Sequence, residues 1–69
     1  MITVKINGKD EEVAEQRSFY GKLYKWFDYH RLKKSAQDQM RRAKKGGGIQ
    51  ARMVKDSRGG YHVYTRAIK

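Results

Sequence analysis

The sequence predicts a small α+β domain: β-hairpins at both ends of the chain form a small antiparallel sheet that packs against one or two central helices, in the order ββααββ. Three observations predict it. Residues 2–6 alternate apolar and polar and close on Asn7-Gly8; residues 49–55 and 61–68 alternate again around a turn-rich stretch; and from 17 to 45 there is no proline and a single glycine, Gly21. An apolar period of two marks a half-buried strand. Helices packed on one face of a small antiparallel sheet are the economical way to bury such pieces.

Ile2, Val4 and Ile6 alternate with Thr3 and Lys5. Asn-Gly tolerates the positive φ angles of a type I′ turn, the strongest short-range hairpin signal. A two-residue loop sets Lys5 opposite Asp10 and Ile2 opposite Val13, which suits both pairs. The return strand then runs from Lys9 to about Ala14. The competing reading starts a helix at Asp10, with Glu11 and Glu12 favourable in its first turn; the hairpin is preferred.

From about Arg17 to Lys45 the apolar residues form two stripes instead of one. Phe19, Tyr20, Leu23, Trp26 and Phe27 share one side of a helix, and Tyr29, Leu32, Ala36, Met40 and Ala43 share another. At about 100° per residue the stripes lie roughly 150° apart, and one straight helix cannot bury both against one surface. The expectation is two helices, about 17–31 and 36–45, with a break near His30–Ser35. Ser35 followed by Asp38 resembles a capping box and favours that break. The alternative is that one stripe packs on a second copy of the chain, giving a homodimer. The aromatic cluster is expected to be the core, with Phe19, Leu23 and Phe27 innermost and Tyr24 and Tyr29 at its edge. Gly46-Gly47-Gly48 ends the helical region: one glycine can take the left-handed cap conformation, and Lys44 and Lys45 suit a helix C-terminus.

Asp56-Ser57-Arg58-Gly59-Gly60 is the final turn. It pairs Lys55 with Tyr61 and Met53 with Val63. One face of this hairpin then carries Ile49, Ala51, Met53, Tyr61, Val63 and Ala67. The other carries Gln50, Arg52, Val54, His62, Tyr64, Arg66 and Ile68, and is expected to look outward. A one-residue slip would mix the faces, so the pattern itself supports this register.

Sixty-nine residues make a single domain, 1–69. A chain of this length buries only about 60% of its unfolded surface, which leaves little room for a pocket that encloses a substrate. It has no cysteine, hence no disulfide framework and no thiolate metal site. Nothing in it resembles a signal peptide or a membrane span, so the expectation is a cytoplasmic protein with no membrane partner and no cofactor.

Seventeen Lys and Arg against seven acids give a formal charge of +10. The charge is uneven: residues 1–16 are net −2, and residues 17–34, 35–48 and 49–69 are +5, +3 and +4. So much charge of one sign destabilises a compact monomer but suits a phosphate backbone, whose neutralisation releases counterions. The acidic first segment would face away from such an anion, or toward another protein.

Two surfaces could meet the anion. On the second helical segment Arg31, Lys34, Arg41, Arg42 and Lys45 lie opposite the apolar stripe, with Asp38 the single acid among them. Such a face can follow a phosphate ridge or enter a groove, although many charged helix faces are simply solvated. On the C-terminal hairpin Arg52, His62, Tyr64 and Arg66 interleave cations with rings, which suits phosphate contact plus base stacking. Arg58 at the hairpin tip could reach a groove or backbone. His30 and His62, 32 positions apart, are the only histidines, and no spacing of a nucleophile with a base, or of metal ligands, is present. The expected function is a non-enzymatic accessory or regulatory protein that binds nucleic acid, DNA or RNA. The alternative is a small protein-binding module or inhibitor docking on an acidic partner protein, and the third reading is a small ribonuclease-like enzyme.

Overall fold

The computed structural model describes residues 1–57 and 59–68. Arg58 lies outside the described residues. The chain runs β1 (Ile2–Ile6), β2 (Lys9–Val13), β3 (Gln16–Phe19), β4 (Lys22–His30), α1 (Lys33–Lys44), β5 (Ile49–Asp56) and β6 (Gly60–Ala67). The α+β class is as expected, but the order is ββββαββ with one helix. β1 and β2 form a two-stranded sheet of their own, and the main sheet has the order β3-β4-β6-β5 with every pair antiparallel.

Both expected hairpins form, in the expected registers. Ile2 faces Val13 and Lys5 faces Asp10, around Asn7 and Gly8 at φ 53° and 80°. Lys55 faces Tyr61 and Met53 faces Val63; Asp56 also pairs with Gly60, so the closing turn is three residues long.

The first expected helix, 17–31, is a third hairpin. Tyr20 and Gly21 turn at φ 54° and 77°, nearly the backbone of Asn7-Gly8. β4 then pairs with β6, and between Trp26 and Asp28 the register shifts. Two steps along β4 there match one step along β6, from Tyr64 to Val63, so Phe27 is the extra residue of a β-bulge. The bulge breaks the strand's period of two: the step between the same-face rings Trp26 and Tyr29, both against His62, is three residues instead of two. Phe27, the bulged residue, and Leu23, paired with Ser18 on the edge hairpin, were expected to be innermost but are 50% and 55% exposed.

The second expected helix forms, at Lys33–Lys44 instead of 36–45. Ser35 does not cap it: Leu32 is the N-cap residue and makes no side-chain cap bond. Its end is as expected, with Gly47 at φ 75° donating its N–H to the Lys44 carbonyl. Ala36 points inward from α1 and is fully buried, as is Val63 beneath it on the sheet. Gln39 ties the helix to β4, donating to Asp28 Oδ2 at 3.0 Å and accepting from His30 Nε2. The helix packs on β5, β6 and β4.

The opposite face of the sheet is also partly covered. The Tyr64 hydroxyl donates to the Ala14 carbonyl at 2.8 Å, just past β2. Asn7, at the tip of the first hairpin, lines a cleft with Tyr29, His30 and Gly59. These two ties lay the first hairpin over the half of the sheet that holds Tyr29 and His62. Ile6 and Val13 on its inner side are buried, while Thr3, Lys5, Asp10 and Glu12 are exposed. Tyr29 also lies directly against Gly60, where a Cβ would collide with its ring; only glycine fits there.

Candidate nucleic-acid interface

The face expected to look outward is buried at its centre, and this corrects the reading of His62 and Tyr64. Tyr64 is 2% exposed and His62 8%. Neither ring can offer a face to a base. His62 instead sits inside a polar chain: Trp26 Nε1–H donates to His62 Nδ1 at 3.0 Å, and His62 Nε2 lies 2.8 Å from Asp56 Oδ2. An indole can only donate. Nδ1 must therefore accept, and Nε2 carries the proton given to Asp56. His30 is likewise held by Gln39, on the helix side of the sheet.

What remains open on that face is its other half. There Arg17 and Arg52 are exposed and Arg66 is half-buried. The three guanidiniums are joined by a bed of rings. Arg17 lies 6.0 Å from the centre of the Phe19 ring and donates a hydrogen bond to the Tyr64 hydroxyl. Phe19 packs edge-on against Tyr24 at 5.1 Å and Tyr64 at 6.0 Å. Tyr24 and Arg66 both donate to Gln50 Oε1, each at 3.1 Å. Arg52, opposite Tyr64 in register, sits 4.5 Å from the centre of the Tyr20 ring.

The last contact spans the sheet, since Arg52 is on β5 at one edge and Tyr20 is in the turn that follows β3 at the other. Four strands at about 4.8 Å spacing separate the edges by roughly 14 Å. Tyr20 and Arg52 close that gap side chain to side chain, above the buried Tyr24 and Tyr64. Burial pushes the Tyr64 phenol above its usual value near 10, and the Arg17 charge and hydrogen bond oppose the shift without cancelling it. Among the described residues, no carboxylate lies within ion-pair distance of Arg17, Arg52 or Arg66.

The residues expected on the second helix fall elsewhere, and Arg31, Lys34, Arg41, Arg42 and Lys45 are all exposed. Arg31 is not on the helix: it lies in the link between β4 and α1 and lines the cleft with Asn7 and Tyr29, whereas Lys34, Arg41 and Arg42 are on α1 and Lys45 caps its end. Lys34, Arg41 and Lys45 look away from the sheet, while Arg42 leans to one flank, beside Phe27, Gln39 and Ala43. Arg41 pairs with Asp38 at 3.7 Å, and Arg42 Nε reaches the Asp38 carbonyl at 3.5 Å. This surface and the arginine surface lie on opposite sides of the sheet, so one short ligand cannot touch both. Of the residues singled out in the sequence, the fold brings Arg52 and Arg66 together and separates them from the helix set.

Two members of the arginine surface, Arg17 and Tyr20, escape sequence reasoning because both fall in the stretch read as a helix. The available signal was the X-Gly pair Tyr20-Gly21 between β-forming residues, but a tyrosine is uncommon at the first position of a type I′ turn. No helix of the described residues is long and apolar enough to cross a membrane. No protein-family model matches this chain, and no curated protein and no solved structure is significantly similar to it.

Proposed function

We propose that this protein binds nucleic acid without catalysis, through the sheet surface of Arg17, Arg52 and Arg66. The observation that carries the reading is the grouping of these guanidiniums, free of any carboxylate partner among the described residues, around an aromatic bed on a chain of charge +10. An unpaired arginine is weakly hydrated and presents a planar fork of donors that matches phosphate. The helix residues Lys34, Arg41 and Lys45 add long-range attraction, and Asp38 offsets part of it.

The test is a titration of the protein against duplex DNA, single-stranded DNA and structured RNA at several salt concentrations. Log affinity should fall linearly with log salt, by about 0.7–0.9 per phosphate neutralised. Absence of binding to all three at low salt would refute the reading. A second reading, a module that docks on an acidic protein, is favoured by Leu23, Phe27 and Ile49, apolar and exposed on the side of the sheet that carries the helix. Lys22 and Lys25 lie beside Leu23 and Ile49 in one shallow cleft. Capture of an acidic protein from lysate freed of nucleic acid, combined with no nucleic-acid binding, would select it.

A further inference from the structure

Tyr20 is the most exposed large apolar side chain named in the fold, at 83%. It contributes little to the core, and its backbone is held at φ 54°, in the left-handed region. That region suits glycine and asparagine and is strained for a bulky L-residue. The same chain shows the unstrained solution: Asn7-Gly8 makes a turn of nearly the same angles, φ 53° and 80°, with asparagine where the second turn has tyrosine. Strain maintained at an exposed ring points to a use for the ring.

The surroundings define that use. Arg52 occupies one face of the Tyr20 ring, its guanidinium carbon 4.5 Å from the centroid. The cation orients the ring and leaves the other face to solvent. Arg17, paired with Tyr24, and Arg66, paired with Gln50, stand on the same side of the sheet. An open aromatic face among cations that have no carboxylate partner among the described residues takes an unstacked base on the ring and the adjoining phosphates on the guanidiniums. In a duplex the base faces are already covered by their neighbours, and only groove edges and backbone are offered.

We infer that Tyr20, presented by its left-handed turn and backed by Arg52, is a base-stacking platform that makes this surface a binder of single-stranded nucleic acid, with Arg17 and Arg66 holding the phosphates. The inference rests on the nucleic-acid reading above and adds its ligand class. Stacking on a ring does not depend on the sugar, so DNA and RNA single strands share the chemistry.

The experiment measures affinities of the parent, Tyr20→Phe and Tyr20→Asn for three probes at one salt concentration: a short single-stranded DNA, the RNA of the same sequence, and the DNA duplex. Asparagine keeps the turn, as Asn7 does, and removes the ring; phenylalanine keeps the ring. The parent should prefer single strands. Tyr20→Phe should bind them as the parent does, and Tyr20→Asn about 5- to 150-fold more weakly, with duplex affinity changed less than about twofold. Loss on one single strand but not the other assigns the platform to DNA or to RNA. Equal single-strand binding by the parent and Tyr20→Asn overturns the inference and leaves the nucleic-acid reading standing, as does an equal loss on duplex. Failure of the parent to bind any probe at low salt overturns both. If the asparagine variant does not fold, the parent decides the matter: the Tyr20 ring proton resonances must shift on adding single strand and stay in place on adding duplex, and the reverse pattern overturns the platform.

Discussion

Replacing Tyr64 by phenylalanine removes one oxygen from the middle of the fold and nothing else. The side chain is 2% exposed, so no packing volume is gained or lost at a surface. Its hydroxyl donates to the Ala14 carbonyl at 2.8 Å and ties the link after β2 to the main sheet. Arg17, which donates to that oxygen, is exposed and can turn to water. The half-buried Ala14 carbonyl can do so only in part. A net hydrogen bond contributes about 0.5–1.5 kcal/mol, and an acceptor left short of a partner adds to the loss; together these give about 1–2 kcal/mol. A fold of 69 residues has roughly 3–10 kcal/mol in all, and each kcal/mol moves Tm by about 4–8 °C at this size. Thermal unfolding followed by circular dichroism at neutral pH should therefore show Tyr64→Phe melting roughly 5–15 °C below the parent.

Alkaline pH supplies a second readout with a fixed sign. The folded phenol titrates above its ordinary value, chiefly through burial. As pH rises past about 10 the unfolded chain releases the Tyr64 proton first, and the folded chain still holds it. Stability from this group is thus complete below about pH 10 and is lost as pH climbs through the folded value. Phenylalanine has no such proton, so the stability gap between parent and variant should narrow from about pH 9 to pH 11. A variant that melts within a degree or two of the parent at neutral pH, or a gap that widens with alkali, would refute the placement of Tyr64.

Two further changes probe the sheet. Phe27→Ala should cost about 1.5–2.5 kcal/mol, because the bulge leaves the ring half exposed; a loss of about 3–5 kcal/mol, the cost at a fully buried phenylalanine, would place it back in the core. Trp26→Phe leaves His62 Nδ1 without its donor and should cost about 1–3 kcal/mol. In the parent, long-range nitrogen–proton spectra should show the His62 proton on Nε2, and finding it on Nδ1 would contradict the chain from Trp26 to Asp56.

The parts of the fold legible in the sequence were those with local rules. Asn7-Gly8 and the alternation at 49–55 and 61–68 specify two hairpins to the residue, because a slip would exchange their faces. The glycines after Lys44 specify where the helix ends. The middle hairpin was hidden by two features that only tertiary pairing reveals. The bulge at Phe27 breaks the period of two, and Tyr20 stands in a turn where asparagine or glycine is the usual signal. With that hairpin unseen, the second cover on the sheet was unseen as well, and His62 and Tyr64 were assigned to solvent. The arginine surface was half legible: Arg52 and Arg66 share a strand pair, whereas Arg17 and Tyr20 join them only through β4.

Comparing two triple variants in the salt titration tests the central claim most directly. Arg17→Gln, Arg52→Gln and Arg66→Gln together remove three charges from the sheet surface, and Lys34→Gln, Arg41→Gln and Lys45→Gln remove three from the helix, so both proteins fall equally from +10. After folding is checked for each, the slope of log affinity against log salt is measured on single-stranded DNA. The sheet variant should lose up to about 2–3 from that slope, near 0.7–0.9 for each phosphate contact removed, and most of its affinity. The helix variant should keep the parent slope and lose affinity only modestly. The opposite result, a parent-like sheet variant and a helix variant that no longer binds, would contradict the account and move the interface to the helix.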